Sequence, residues 1–457
     1  MLSDAEENLN TLMQLTGMPE DEASALLAFR VAIHTTDERS LIQFAGNIRE
    51  LLSKTLVVVN GDSEHELEIS IGAAATSPNG LSIWLTSSAM LIERGHSASP
   101  PPECDLHPDI AGISRKICAC YAAGYAISSL LGDKLPTRSP DRFELKYANL
   151  DLPLDEIVTP LDLDDCVLAG AGGVANGFLW GLEELNPRGK LTIVDPKKVR
   201  AGNANRCLYF SPNDEGYKSQ LLAERVRLPN VNVDFFAGTL RQHVQARADP
   251  RISFLVSTPD SRPARRSFQN ELPRTVFDAS TTGAEEIVVF SQAFPLAGAC
   301  LSCIYPHVRE EDQRDKHIAD NLGLMLEEVK SGHITAALAE KLERNFPGKV
   351  SSASVLGMAF SSLHKALCGQ QALLSPGVVD QAAAPFSFFS NLAGLLLALE
   401  LYRAQEAGDA WQGSNSMHLN PWVEPHSRLR RRPRPRTGCD FCSRPESHAA
   451  MAAVWTE

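Results

Sequence analysis

The stretch Val167–Arg206, VLAGAGGVANGFLWGLEELNPRGKLTIVDPKKVRAGNANR, decides the fold class of this 457-residue chain. Its first three residues are apolar and predict a short strand, and a glycine-rich turn follows them. The segment Asn176–Leu185 predicts a helix that Pro187 and Gly189 end, and Leu191–Val194 predicts a second strand. A strand, a helix and a strand in this order are typical of an α/β fold with a mostly parallel sheet.

Glycines and one carboxylate within this stretch indicate a nucleotide site. Gly170, Gly172 and Gly173 allow a tight turn in which backbone amides at the start of the helix approach a phosphate closely. Asp195 follows the second strand about twenty residues after the turn, where a carboxylate hydrogen-bonds a ribose hydroxyl. A glycine-rich turn without a ligand is the alternative. The strands and Asp195 around the turn favour a Rossmann-like nucleotide site.

Polar residues beyond Asp195 narrow the ligand to a triphosphate. Asn203 and Arg206 suit phosphate oxygens, whereas a dinucleotide dehydrogenase has no fixed need for an amide and a guanidinium there. Lys218 begins a helical pattern, and Asp260 ends a further apolar strand, where a carboxylate suits Mg²⁺. Taken singly, each residue is typical of a solvated surface, a cap or a turn. Their joint order favours a site for ATP and Mg²⁺.

Six motifs in a fixed order carry a resemblance to a known family. They are GAGGVA, DPKKVRAGNANR, GYKSQLLAERV, STPDSRPARR, DASTTG and CLSCIYP, and they span Val167–Pro306. This order resembles the adenylation domain of the ubiquitin-activating enzyme superfamily, which also includes the bacterial adenylyltransferases of thiamine and molybdopterin synthesis. Arg265 fits the family's pattern as well. Cys207, where the family usually has Gln, and Pro259 depart from it, but neither departure removes a charged group.

The resemblance implies a role for each polar residue of the site. It implies that the ribose of ATP lies on Asp195 and that Mg²⁺ lies on Asp260. It implies that Asn203, Arg206 and Lys218 bind the phosphates. We therefore expect Arg206, Lys218 and Asp260 to carry the catalysis.

The implied reaction is the adenylation of a partner protein. A carboxylate attacks the α-phosphate of ATP and gives an acyl-adenylate and pyrophosphate, mainly through positioning and charge neutralisation. The resemblance implies that this carboxylate is the C-terminal glycine of a ubiquitin-like protein, which then forms a thioester with a cysteine and passes to a conjugating enzyme. Two alternatives are a sulfur-carrier adenylyltransferase without a thioester and an inactive adaptor that binds a partner's C-terminal tail.

Two C-x-x-C pairs predict a structural zinc site. Cys300 and Cys303 form the first pair, and Cys439 and Cys442 form the second. Four thiolates suit tetrahedral Zn²⁺, and the wide separation means that the metal would tie the C-terminal segment to the nucleotide domain. Disulfides are the alternative, which an acidic and polar N-terminus without a secretory signal disfavours. The resemblance implies the same four ligands.

The region 307–384 predicts helices and contains the candidate for the thioester cysteine. Its apolar residues repeat at helical spacing. Cys368 is the one cysteine between the two pairs, and the resemblance places the thioester cysteine in this crossover region; a buried core cysteine is the alternative. Cys207 is a weaker candidate because it lies beside the phosphate residues. Cys118 and Cys120 are expected in the core.

The chain is expected to contain two domains. Residues 151–457 form the active adenylation domain, which includes the crossover region 307–384 and the zinc-closing segment 385–457. Residues 1–150 lack a glycine phosphate loop and a matching Asn/Arg pair, so they form no second active site. They are either a degenerate adenylation-like half or a separate α+β accessory domain. Since the family completes its ATP site with an arginine from a neighbouring half, we expect an intramolecular pseudo-dimer or a homodimer.

Composition disfavours several other classes of protein. A net charge of −13 disfavours a general nucleic-acid binder, and the prolines within the basic run Arg428–Arg436 favour a solvated linker. A hydrophobic content of 44% is ordinary for a soluble globular protein. The apolar segment Pro385–Ala404 is too short and too often interrupted by polar residues for a membrane span. We therefore expect a cytoplasmic protein without nucleic-acid or membrane partners.

Overall fold

The computed structural model describes residues 3–61, 63–96, 98–102, 105–107, 109–135, 140–282, 285–330, 334–356, 360–369, 385–408, 411 and 415–455. These residues form two β-sheets that are mostly parallel, with helices packed on them. The α/β fold class expected from the sequence is confirmed.

The first sheet is built, within the described ranges, from β1 (Arg30–Thr35), β2 (Val57–Val59), β3 (Leu67–Ile71), β4 (Leu81–Leu85), β5 (Ala89–Arg94) and β6 (Arg142–Lys146). Its helices are α1 (Asp4–Thr16), α2 (Glu20–Leu27), α3 (Arg39–Leu52) and α4 (Gly112–Leu131). The strand order is β2-β1-β3-β4-β5-β6. The first four strands in this order pair in parallel. Strand β5 pairs antiparallel with β4, and β6 pairs antiparallel with β5.

The second sheet is built from β7 (Leu161–Ala169), β8 (Pro187–Val194), β9 (Val231–Phe236), β10 (Phe254–Ser257), β11 (Thr275–Thr282), β12 (Glu286–Ala293), β13 (Asn415–Leu419) and β14 (Arg430–Arg431). Its helices are α5 (Gly173–Leu182), α6 (Lys218–Arg225), α7 (Leu240–Ala246), α8 (Arg262–Gln269), α9 (Leu301–Ile304), α15 (Ser387–Ala407) and α16 (Pro445–Trp455). The described strands follow the order β14-β13-β12-β11-β10-β7-β8-β9. The strands from β9 to β11 are parallel, and β12, β13 and β14 are antiparallel.

The two sheets share one topology. The order β2-β1-β3-β4-β5-β6 matches the order β8-β7-β10-β11-β12-β13, with the same parallel and antiparallel pairs. Helix α3 connects β1 to β2 as α5 connects β7 to β8. Helix α4 lies between β5 and β6 as α15 lies between β12 and β13. The chain therefore contains two halves with the same topology, which fits the degenerate adenylation-like half that was one of the two expectations for residues 1–150.

One hydrophobic core runs through both halves. Its buried residues extend from Leu12 to Leu429, and α4 and α15, both buried around most of their circumference, pack against each other within it. Helices α5 and α15 cross at backbone contact: a Cβ on Gly394 would lie 2.2 Å from the Val174 carbonyl oxygen. Since a side chain there would force the helices apart, glycine fixes the closeness of this crossing. The crossing holds α5, whose N-terminus borders the candidate site.

The predicted helix and second strand are present, but their bounds differ from the prediction. Helix α5 ends at Leu182, and β8 begins at Pro187, four residues before the predicted start. Proline is tolerated at the first residue of a strand, because its missing N–H is not needed there. Gly189, with φ of +108°, lies beside Asp164, close to the register shift of β7 against β8. Reading Pro187 and Gly189 as breakers was therefore wrong.

A group of helices interrupts the second half between β12 and α15. They are α10 (Arg309–Leu322), α11 (Leu326–Lys330), α12 (Ala336–Asn345), α13 (Ser352–Val355) and α14 (Phe360–Gly369), and they enclose a hydrophobic cluster of their own. Helices predicted here are confirmed. The sequence spacing places Met325 on one apolar helix face with Leu322 and Val329, but Met325 is 65% exposed because Gly323, with φ of +65°, ends α10 before it. Within the described ranges, no helix has the length and hydropathy to cross a membrane.

Candidate functional site

The residues predicted for the nucleotide site gather at one edge of the second sheet. The parallel strands β7, β8 and β10 end at Ala169, Val194 and Ser257. The glycine turn follows β7, Asp195 follows β8, and Asp260 lies three residues after β10. In an open α/β sheet, the carboxyl ends of the strands are where ligands bind. The sequence order and the sheet therefore converge on one candidate site.

Asp195 holds the glycine turn in place. Its side chain is 7% exposed. One carboxylate oxygen accepts a hydrogen bond of 2.8 Å from the Ala171 amide, and the other accepts one of 2.7 Å from the Lys197 amide. Gly170 has a φ of +103°, and a Cβ on it would lie 2.7 Å from the Thr258 carbonyl oxygen. The turn therefore requires glycine at this position and a carboxylate behind it.

Arg206 lies across the start of α5. A Cβ on Gly173 would be 3.2 Å from Cγ of Arg206 and 2.9 Å from Oγ of Ser390. The guanidinium Nη1 donates to Oδ1 of Asn205 at 2.8 Å, and the residue is partly buried. Anions bind favourably where helix-terminal amides and a guanidinium meet. Arg206 is thus placed where the sequence predicted a phosphate contact.

Asn203 closes a local turn. It is 8% exposed, and its side-chain oxygen accepts a hydrogen bond of 3.0 Å from the Arg200 amide, which caps the 3₁₀ turn Ala201–Asn203. A phosphate would have to be met by the other end of the same side-chain amide, the Nδ2 group. The observed bond explains the local need for an amide and leaves its phosphate role a prediction.

Two lysines add positive charge to this edge of the sheet. Lys218 is the first residue of α6, and its own amide donates to the Lys197 carbonyl at 2.9 Å. Burial lowers the pKa of Lys218; the like charges of Lys197 and Arg206 lower it further, and Asp195 opposes the shift. The carboxylates of Asp195 and Asp260 offset part of this positive charge. This cluster is typical of a polyanion site.

Asp260 forms an ion pair with Lys197. The Lys197 Nζ lies 2.6 Å from the Asp260 carboxylate, whose side chain is 65% exposed. Burial lowers the pKa of Lys197, but the carboxylates of Asp260 and Asp195 raise it by more, so the ammonium stays charged. Asp260, for which the sequence predicted a Mg²⁺ contact, is thus paired with the Lys197 ammonium in this structure. Sequence reasoning did not single out Lys197, although it lies in the DPKK motif directly after Asp195.

A buried network holds the loop that carries Asp260. Arg265 donates to the Asp278 carboxylate and, at 2.6 Å, to the Pro259 carbonyl. Tyr305 and Ser257 each donate to the same carboxylate at 2.6 Å. The Asp278 side chain is completely buried, so removal of one partner of this pair would cost about 3–5 kcal/mol. Arg265, which fits the family pattern, thus holds the loop of Asp260 through its hydrogen bond to the Pro259 carbonyl.

The four cysteines of the two C-x-x-C pairs lie together. The sulfur of Cys300 is 3.8 Å from that of Cys303 and 3.6 Å from that of Cys439, and Cys303 and Cys442 are 3.4 Å apart. All four sulfurs lie within 4.8 Å of one another. A disulfide requires about 2.0 Å, so the alternative of two disulfides does not fit these distances. Tetrahedral Zn–S bonds of about 2.3 Å put sulfurs about 3.8 Å apart, which these residues match.

The cysteine cluster joins the C-terminal segment to the second half of the chain. Cys303 accepts a hydrogen bond of 3.2 Å from the Arg436 amide, and the thiol of Cys300 holds the pKa of Cys303 well below its usual range, at about 4. Helix α16 continues this attachment, because Nε1 of Trp455 donates to the Leu272 carbonyl at 2.8 Å. A metal ion at the cluster would therefore close a loop of more than a hundred residues, as the sequence spacing predicted.

The candidate thioester cysteines differ in what the structure describes. Cys368 lies near the end of α14, and its side chain is outside the described residues. Cys207 is 1% exposed, and burial raises the pKa of its thiol, which disfavours the thiolate that a thioester step needs. Cys118 and Cys120 are completely buried in α4, as expected. Cys368 therefore remains the better candidate.

Comparison with known proteins gives one curated relative. No protein-family model matches the chain. The uncharacterized protein y4jF of Sinorhizobium fredii (strain NBRC 101917 / NGR234) is 27% identical over an alignment of 279 residues, which covers 57% of this chain and 52% of the relative. The chain thus spans about half the length of the curated relative that it matches.

Several solved structures from E. coli show partial similarity. MccB is 14% identical, with a TM-score of 0.37 and coverage of 62% of this chain and 66% of that one. MccB with ATP is 12% identical, with a TM-score of 0.36 and coverage of 71% and 74%. The tRNA N6-threonylcarbamoyladenosine dehydratase TcdA in complex with AMP is 17% identical, with a TM-score of 0.28 and coverage of 54% and 87%. Scores at this level assign neither an activity nor a ligand to this chain.

The purified protein is expected to contain about one zinc ion per chain, because four sulfurs form one closed tetrahedral set. Cys439→Ser should remove the metal and lower the thermal midpoint, since metal binding contributes to folding. Elemental analysis and calorimetry measure both effects. Cys118→Ala, which removes a thiol far from the cluster, is the control and should keep its zinc. A metal-free wild-type protein with all four cysteines present as free thiols would contradict this expectation.

Proposed function

We propose that this chain is an ATP-dependent adenylyltransferase of the ubiquitin-activating enzyme superfamily. The ordered motifs between Val167 and Pro306 support this assignment. The observation that carries it is the arrangement at the carboxyl edge of the parallel strands. Arg206 lies beside Gly173 of the glycine turn, the Lys197 amide binds Asp195, and the Lys218 amide binds the Lys197 carbonyl. Three cations and helix-terminal amides in one place suit a polyphosphate better than a dinucleotide with two phosphates.

Each residue of the site has a proposed role. Asp195 binds the ribose while it supports the glycine turn. Asn203, Arg206 and Lys218 bind the phosphates. Asp260 would hold Mg²⁺, and Lys197, which pairs with Asp260 in this structure, would contribute a further cation for the phosphates.

The proposed reaction transfers AMP to a carboxylate. A carboxylate oxygen of the partner's C-terminal glycine attacks the α-phosphorus, and a new P–O bond forms. The bond from the α-phosphorus to the bridging oxygen breaks, and pyrophosphate leaves with that electron pair. Arg206 and Lys218 would neutralise the charge that develops on the leaving group, which is the main catalytic contribution that these residues offer. A Mg²⁺ ion held by Asp260 would supply further charge neutralisation.

The N-terminal half is proposed to be an adenylation-like half without nucleotide chemistry. Its topology matches that of the second half, which favours this alternative over a separate accessory domain. In place of the glycine turn, β1 is followed by Thr36, Asp37 and Glu38, and Glu38 is the N-cap of α3. Carboxylates at the start of this helix would repel phosphates. Residues 1–150 and 151–457 therefore form an intramolecular pseudo-dimer with one ATP site.

The proposal also includes a second step, in which the adenylated partner is transferred to Cys368. Cys368 follows His364 by four residues in α14. Burial lowers the pKa of His364, and His317 lowers it further, so the imidazole is neutral near pH 7 and suits a proton acceptor. The thiolate would attack the acyl carbon of the adenylate, form a thioester and release AMP, and the thiol proton would pass to His364.

ATP–pyrophosphate exchange tests the adenylation step directly. Wild-type protein, with a panel of ubiquitin-like proteins that end in glycine, should exchange labelled pyrophosphate into ATP. Arg206→Ala should lower the exchange rate by about 10²-fold or more, because one preorganised charge contact is lost in the transition state. Arg188→Ala is the matched control. Arg188 lies near the amino end of β8, whereas the candidate site lies at the carboxyl ends of the strands. It forms an exposed ion pair with Asp162, and its loss should leave the rate unchanged.

Exchange that survives in Arg206→Ala at the wild-type rate would overturn the proposed role of Arg206. ATP binding without exchange, for every glycine-ended partner in the panel, would instead support the inactive adaptor.

A thioester test separates a conjugating enzyme from a sulfur-carrier adenylyltransferase. Wild-type protein with ATP and an active partner should form an adduct that a thiol reductant removes, and Cys368→Ala should lose the adduct while it keeps pyrophosphate exchange. Cys207→Ala is the control and should keep the adduct, since Cys207 is buried. Gel electrophoresis with and without reductant measures it. An adduct that persists in Cys368→Ala would exclude this cysteine, and exchange without any wild-type adduct would favour the sulfur-carrier alternative.

A further inference from the structure

Arg206 is held differently from three other arginines of its half. Arg225, Arg265 and Arg266 each form an ion pair with a carboxylate. No carboxylate of the described residues forms an ion pair with Arg206, and its guanidinium instead donates to the neutral side chain of Asn205. A neutral acceptor orients a guanidinium without neutralising it, so its full charge stays available for an anion.

A chain of side-chain amides continues from Asn205 into the N-terminal half. Nδ2 of Asn205 donates to Oδ1 of Asn8 at 3.2 Å, and Nδ2 of Asn8 donates to the Lys54 carbonyl at 2.7 Å. Asn8 belongs to α1, and Lys54 lies two residues beyond the end of α3. Asn205 is completely buried, and Asn8 is 4% exposed. Three hydrogen bonds thus connect the backbone of the first half to Arg206.

The two ends of this chain fix the orientation of both amides. A guanidinium has donors and no acceptor, so Asn205 must present its oxygen to Arg206 and its nitrogen to Asn8. A backbone carbonyl only accepts, so Asn8 must present its nitrogen to Lys54 and its oxygen to Asn205. Neither amide can flip without placing donor against donor or acceptor against acceptor in a buried site. The hydrogen bonds therefore reinforce one geometry.

We propose that Asn8 is a positioning residue for Arg206, through which the N-terminal half sets the phosphate-binding geometry of the other half. This inference rests on the proposed function, because that function identifies the anion as the phosphate groups of ATP. When Asn8 is removed, Asn205 loses its buried acceptor and is free to flip, and its nitrogen then opposes the Arg206 donor. Helix α1 contains no basic residue, so it acts on the site by orienting Arg206 through Asn8 and not by supplying a cation.

Calorimetric titration with ATP and Mg²⁺ tests this inference as a double-mutant cycle. The proteins are the wild type, Asn8→Ala, Arg206→Ala and the double variant. Asn8→Ala should weaken ATP binding roughly 5–10-fold, the size expected for the loss of one hydrogen bond between neutral side chains. In the Arg206→Ala background the same change should have no further effect. Asn8→Ser, a milder change that keeps a hydroxyl acceptor, should lie between wild type and Asn8→Ala.

Leu12→Val is the matched control. Leu12 lies on the same helix and is completely buried, but it is apolar and outside the amide chain, so its substitution should leave the ATP affinity unchanged. An equal effect of Asn8→Ala with and without Arg206, or no effect in either background, would overturn the positioning role while ATP binding itself stands.

Failure of the wild-type protein to bind ATP would contradict the proposed function instead.

Unfolding of the same four proteins in urea tests the amide chain without ATP. The effects of Asn8→Ala and Arg206→Ala on the free energy of unfolding should be non-additive if the amide chain couples them. Additive effects would overturn the inference whatever the ligand.

Discussion

The candidate site depends on the two hydrogen bonds that the Asp195 carboxylate accepts. They join the end of β8 to the glycine turn after β7 and to the start of the loop that carries Lys197. Hydrogen bonds to an ionised acceptor are the stronger kind, and Asp195 itself is only 7% exposed. Because the turn and the loop are both held by one side chain, the start of α5, Lys197 and the ion pair with Asp260 have fixed relative positions.

Helix packing and the first half of the chain also support this site. Helices α4 and α15 occupy equivalent connections in two halves of the same topology, and they pack together in one core. The crossing of α15 with α5 at Gly394 fixes the helix whose N-terminus borders the candidate site. The first half adds the amide chain from Asn8 to Arg206. The two halves thus share one topology but differ in the turn after their first strand, and the proposed function assigns the ATP site to the second half alone.

Local chemistry of the site could be predicted from the sequence, whereas contacts between distant segments could not. The strand, turn and helix around Gly170–Gly173 follow from spacing, because a glycine turn has few alternatives. The four cysteines could be grouped because thiolates with that pairing share one chemistry. Asn8 carries no signal of its role, since a buried amide 197 residues away from its partner Asn205 resembles any polar helix residue. The sequence left the repeat of topology as one of two alternatives for residues 1–150, because topology depends on strand pairing and not on side-chain identity.

Hydrogen–deuterium exchange with and without ATP and Mg²⁺ tests most directly whether one half alone binds the nucleotide. Protection should increase in residues 170–176 and 203–218, which contain the glycine turn, Arg206 and Lys218. The equivalent turn of the first half, residues 36–42, should show no change, because Asp37 and Glu38 repel phosphates there. Protection of residues 36–42, or none in residues 170–176, would contradict the account.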